Sequence, residues 1–145
     1  MRILFLALIA LFITSCAKVN SEYFTSSFLV KETKINYNKI ADDFAQLITP
    51  YYLPSKTTFF INDNVDNKDF LNYFIETLRK KGYAIINNSS RKNLTFLSYQ
   101  ITQIDDEKIV AIFNIDEGKI NMIYNIIDQK LTKVSITNFN FNSKD

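Results

Sequence analysis

The chain opens on an unbroken apolar run, Ile3 to Ile13, and then changes its hydrophobic period twice. Tyr37, Ile40, Ala41, Phe44, Leu47, Ile48 and Tyr51 recur at i, i+3, i+4 and i+7, the stripe of an amphipathic helix. That helix is predicted to end before Pro50, because a proline disfavours helical geometry in the residue ahead of it. Thr57–Ile61, after Pro54, is a short β-favouring run closed by the polar turn Asn62-Asp63-Asn64. A second helix is predicted from Asp66 as N-cap, with Asp69 in its first turn and Phe70, Leu71, Phe74, Ile75 and Leu78 on its apolar face. Glu76 and Lys80 form an outward i, i+4 pair. Arg79, Lys80 and Lys81 fall at the negative end of the helix dipole, and Gly82 supplies a left-handed stop. The dipole accounts for that basic cluster structurally; phosphate or lipid-headgroup binding is its competing reading.

From Tyr83 the period falls to two. Tyr83–Ile86 reads as a strand and residues 87–93 as a polar loop. Hairpin-linked strands are predicted near 94–104, 108–116, 119–127 and 131–139, with turns at Asp105-Asp106-Glu107, Asp116-Glu117-Gly118 and Asp128-Gln129-Lys130. Connections this short make antiparallel neighbours. The helical stripes need an apolar surface, and one face of this sheet offers it. The predicted fold class is α+β: two amphipathic helices packed on one face of a mostly antiparallel sheet of about four to six strands.

The opening run has its own logic. Arg2 precedes it, the small residues Thr14 and Ser15 follow it, and Cys16 comes next. A charged start, a short apolar stretch and a small-residue exit are the layout of an export signal. The run is well short of the roughly 20 apolar residues that cross a bilayer. Ile13-Thr14-Ser15-Cys16 resembles the bacterial lipobox, in which the cysteine sulfur receives diacylglycerol before cleavage just ahead of it. Cys16 is the sole cysteine, so no internal disulfide exists, and lipidation explains the unpaired thiol of an exported chain. Two or more acyl chains anchor stably where one does not. The organisation expected is a cleaved signal over 1–15, a lipid-anchored tether over 16–34 and one α+β periplasmic domain over 35–145. Phe24, Phe28 and Leu29 are the tether residues expected to dock. Ala17 is not the aspartate that typically holds lipoproteins on the inner membrane, so the expected location is the outer one.

Composition narrows the chemistry. Arg2 leaves with the signal, and the remaining chain is nearly charge-neutral, without the basic footprint of a nucleic-acid binder. Histidine is absent, removing the commonest general base and metal ligand. Two glycines, Gly82 and Gly118, cannot build a phosphate loop, and no Gly-x-Ser-x-Gly elbow occurs. Asp105-Asp106-Glu107 lacks the spaced ligands of a calcium loop. Asp42-Asp43 invites an acid/base reading, but neighbours on a helix point about 100° apart, so a solvated surface is expected. No catalytic residue, cofactor, metal or small-molecule substrate is expected.

Ile40-Ala-Asp-Asp-Phe-Ala-Gln-Leu47, Tyr51-Tyr-Leu-Pro-Ser-Lys-Thr57, Leu78-Arg-Lys-Lys-Gly-Tyr-Ala-Ile85 and Leu97-Ser-Tyr-Gln-Ile101 follow the lipobox in that order. In order and spacing the chain resembles TrbH, a family of conjugal-transfer lipoproteins of about this length. Family members often close with a tryptophan-bearing segment; this chain has no Trp and ends on Asn138-Phe-Asn-Phe-Asn142. The resemblance implies a structural part of a mating-pair, type IV secretion apparatus, seated by lipid on Cys16 and meeting other channel subunits. Phe139 and Phe141 are the candidate partner contacts. A second class stays open: a periplasmic ligand-binding, inhibitor or chaperone-type lipoprotein, favoured by a closed apolar cavity between helices and sheet.

Overall fold

A computed structural model describes residues 24–31, 34–88 and 90–139, the side chains of 138 and 139 excepted. The order of elements is β1 (Ser27–Leu29), α1 (Asn38–Ile48), a 3-10 turn (Pro54–Lys56), β2 (Thr58–Phe60), α2 (Lys68–Lys80), β3 (Ala84–Ile86), β4 (Thr95–Asp105), β5 (Lys108–Ile115), β6 (Gly118–Ile127) and β7 (Lys130–Phe139). The sheet has seven strands in the order β3-β2-β4-β5-β6-β7, with β1 also on β4. From β4 to β7 it is an antiparallel meander, as the short turns require. The other side is parallel. β2 and β3, joined through α2, pair in parallel, and β2 pairs in parallel with β4 at Phe59↔Thr95 and Phe60↔Phe96. β1 pairs in parallel with β4 further along, Ser27↔Gln100 to Leu29↔Thr102. Two short strands thus share one edge of β4, end to end.

β1 falls inside the stretch expected to be a tether. It is held there because Phe28, opposite Ile101, packs edge-on against Tyr37 at 5.2 Å and beside Phe70 at 5.3 Å. Phe24 is buried beside Phe96, whereas Leu29, also expected to dock, is 61% exposed on the face opposite Phe28.

Local chemistry sets the helix ends. Asn36 Oδ1 accepts from the Asn38 N–H at the start of α1. At its end the Thr49 hydroxyl donates to the Ala45 carbonyl one residue before Pro50. Tyr51, assigned by periodicity to the stripe, lies beyond that stop and is exposed. In α2 the N-cap is Asn67, not Asp66: its Oδ1 accepts from the Phe70 N–H at 2.9 Å, the third helical position such a cap reaches. The far end is a Schellman closure. Gly82 sits at φ +94°, its N–H donates to the Arg79 carbonyl, and the Tyr83 N–H donates to the Leu78 carbonyl.

The core lies between the helices and the inner face of β4, β5 and β6. Leu97, Tyr99, Ile101, Ile109, Ala111, Phe113, Ile115, Ile120, Met122 and Tyr124 line that face fully buried. An aromatic cluster joins the layers: Phe44 of α1 stacks on Phe113 at 3.9 Å, and Phe74 of α2 meets Phe44, Phe113 and Tyr99 within 5.7 Å. Each buried phenylalanine contributes about 1.5–3 kcal/mol from burial alone, and each well-set ring pair about 0.5–1.5 kcal/mol more. Two helices of about 10 Å each cannot roof a sheet six strands wide at about 4.8 Å a strand. The unroofed part is the second half of β7, where Val134 and Ile136 are exposed, whereas Leu131 near its start is in the core.

Candidate interaction surface

Three polar or uncovered features remain once the core is accounted for. The first is a knot that ties α1 to the end of the meander. Asp43 was expected to be solvated. Its side chain is only 11% exposed, with Lys39 Nζ at 3.2 Å and Lys133 Nζ at 3.5 Å. It also accepts from the Tyr124 hydroxyl at 3.1 Å. The side chain lies beside Phe44 at the border of the apolar stripe, and a register shift in β7 near Val134 keeps Lys133 paired with Tyr124. Asp42, one residue earlier, points to α2, where the Tyr73 hydroxyl lies 3.1 Å from its Oδ1. The two carboxylates therefore diverge into separate bonds, as their 100° offset requires, and form no dyad. Burial, and then the Asp43 charge, raise the pKa of Tyr124 far above the ordinary tyrosine value. Tyr99 is raised by burial alone, and among the described residues its hydroxyl has no hydrogen-bond partner. Tyr52 is pushed up to about 12 by burial and then by the charge of Asp116.

Between α1, Tyr73 of α2 and the β6–β7 turn lies an open cleft of about 370 Å³. Its walls include Asn36, Lys39, Asp42 and Lys130. A second cleft, near the Asp105–Lys108 turn, measures about 450 Å³ and is lined mostly by polar side chains. Neither is a closed apolar cavity. Among the described residues no group of three or more His, Cys, Asp or Glu is placed to hold a metal ion. No described helix is long and apolar enough to cross a membrane.

The second feature is the outer face of the sheet, which no described helix covers. Cross-strand register makes two rows there: Leu29, Thr102, Val110, Ile123 and Ser135, and beside it Ser27, Gln100, Ile112, Asn121 and Thr137. Neither row holds a charge, in a chain whose residues are 22% charged. Val110, Ile112 and Ile123 are half-buried among their neighbours, and Ile127 at the end of β6 is exposed. Among the described residues the buried Asn121 Oδ1 has no hydrogen-bond partner. The third feature is the outer edge of β7, which no described strand pairs.

The residues singled out from sequence lie mostly elsewhere. Cys16 and Phe141 are outside the described residues. Phe139 ends β7, its backbone paired with Lys119, and its side chain is outside the description. Asp43, Tyr124 and Lys133 were not singled out as a group. The Lys39–Asp43 spacing of four was the visible signal; nothing local marks Lys133, which arrives from 90 residues away.

This arrangement defines a two-layer α+β domain whose polar side chains hold helices to sheet, with one broad sheet face that no described helix covers. The chain belongs to the family described as conjugal transfer protein TrbH, whose model matches residues 19–140. The match runs through every described element, from β1 to the end of β7. No curated protein and no solved structure matches the chain at a significant level.

Proposed function

We propose that the protein is a lipoprotein scaffold of a conjugative DNA-transfer channel, held at the outer membrane by lipid on Cys16 with its domain facing the periplasm. The observation that carries this reading is membership of the conjugal transfer family across nearly the whole chain. The sequence ahead of the matched region adds the anchor: Arg2, the Ile3–Ile13 run and the lipobox-like Ile13–Cys16. The role is interaction, not catalysis. The outer edge of β7, which no described strand pairs, is a surface on which other transfer subunits dock. DNA is not contacted directly, because the near-neutral chain offers no stripe of cations for phosphates.

The test is a crosslinking pull-down of the full-length protein from its own envelope beside a Cys16→Ser control. Intact protein is expected to carry a diacylglyceryl mass on its amino-terminal peptide and to recover other transfer-channel subunits, and the control to lose both. Lipidated protein that recovers no such subunit would overturn the conjugative role. An amino-terminal peptide without lipid would overturn the anchor.

A further inference from the structure

The outer sheet face has an occupant to account for. Solvated sheet faces normally carry charges, whereas the centres of interfaces are depleted of them. Both central rows, ten positions on five strands, are free of charge, and Leu29 and Ile127 stand exposed at the border. Four strands at about 4.8 Å, each of ten residues at about 3.4 Å, span about 650 Å², and β1 extends this toward the roughly 800 Å² each partner gives a standard interface.

We propose that a second copy of this chain docks on this face, sheet against sheet. Uncharged rows of Ser, Thr, Asn and Gln beside Val and Ile are self-complementary: laid over one another they bring no like charges together. The ends of the strands fix the orientation. At one end the turns hold Asp105, Asp106, Glu107 and Asp128, outnumbering Lys31, Lys108 and Lys130. At the other, Arg91, Lys92 and Lys119 outnumber Asp116 and Glu117. A twofold axis lying across the strands sets the acidic end of each copy over the basic end of the other. It also lays the uncharged row from Ser27 to Thr137 against its own counterpart. The proposal stands apart from the conjugative role, since any lipoprotein with this face would pair in the same way.

Sedimentation equilibrium of the full-length chain, purified in density-matched mild detergent, decides it. The wild type is expected to be a dimer. Gln100→Lys and Thr137→Lys alter exposed positions, so circular dichroism should be unchanged while the dimer dissociation constant rises at least tenfold. Val134→Lys with Ile136→Lys, on the unroofed part of β7, should leave the dimer intact. A monomeric wild type overturns the proposal. So does a dimer that ignores the face variants and yields to those on β7, because that result assigns the pairing to the strand edge. A different polypeptide that co-purifies in fixed ratio and is released by Gln100→Lys overturns it as well, since the face then belongs to that partner.

Discussion

Replacing Asp43 tests whether the carboxylate holds α1 to the meander through a hydrogen bond or through charge. Asp43→Ala removes the carboxylate acceptor of the Tyr124 hydroxyl, leaving this fully buried residue only the weak Met122 Sδ at 3.9 Å, and removes both lysine pairs. An orphaned buried donor costs about 1–3 kcal/mol. Lys39 and Lys133 are 45% and 34% exposed, so solvent screening holds each pair to at most about 1 kcal/mol. Asp43→Ala should therefore cost about 2–4 kcal/mol. Asp43→Asn keeps an oxygen for Tyr124 and loses only the charge, so it should cost about 1 kcal/mol or less. Tyr124→Phe removes the donor instead, and its effect should not add to that of Asp43→Ala; the two should couple by about 1–2 kcal/mol. Urea-induced unfolding followed by circular dichroism gives all four corners of the cycle. In 1 M salt the small cost of Asp43→Asn should shrink while the Asp43→Ala cost persists. Equal losses for Ala and Asn at position 43, or strict additivity with Tyr124→Phe, would refute the reasoning.

Gly82→Ala should destabilise by about 1–2 kcal/mol, because φ +94° strains an L residue. The added Cβ would meet Pro54 Cβ at 3.4 Å, an ordinary contact, so the loss is conformational, and thermal melts should show it. Gln129→Gly should instead stabilise by about 1 kcal/mol in the same assay, since Asp128 and Gln129 both hold positive φ in a two-residue hairpin turn. Stability should also fall in alkali. Tyr52, Tyr99 and Tyr124 have pKa values raised above 10.0 in the folded chain, so their contribution is complete below pH 10 and is lost as pH rises through the folded values. The fully buried Tyr99 and Tyr124 each account for up to about 1.4 kcal/mol per pH unit above pH 10, half-buried Tyr52 for less, and Tyr124→Phe should lessen the slope in pH-dependent urea titrations.

The meander was legible because its signal is local. Alternation such as Ile120, Met122 and Tyr124 against Asn121, Ile123 and Asn125 names a face without knowledge of any partner, and acidic two-residue turns bracket each strand. The helices were legible for the same reason, down to Gly82. The N-cap slipped by one residue because Asp66 and Asn67 are chemically equivalent and only the backbone bond to Phe70 chooses between them. The parallel half was not legible as a sheet. β1, β2 and β3 are three residues each, too short to show a period; β3 pairs with β2, and the pairing of β1 and β2 with β4 spans from about 35 to more than 70 positions of sequence. The Asp43 knot was hidden similarly, since its partner Lys133 is placed by a register shift deep in β7. The candidate face follows from cross-strand register, which alternation within a strand does not supply.

The shared edge of β4 has a mechanical consequence. A load applied to the chain ahead of residue 24 meets Phe24, packed on Phe96, and the Ser26 hydroxyl, which accepts from the Tyr99 N–H. It then meets β1, whose three residues pair with β4 alone. Because β1 and β2 sit end to end on that edge and do not stack side by side, β1 can peel away without breaking a β2–β4 or β4–β5 bond. The first extension under tension is therefore short and reversible, and it uncovers Phe28 and the Ile101 end of the core while the four-strand meander stays folded.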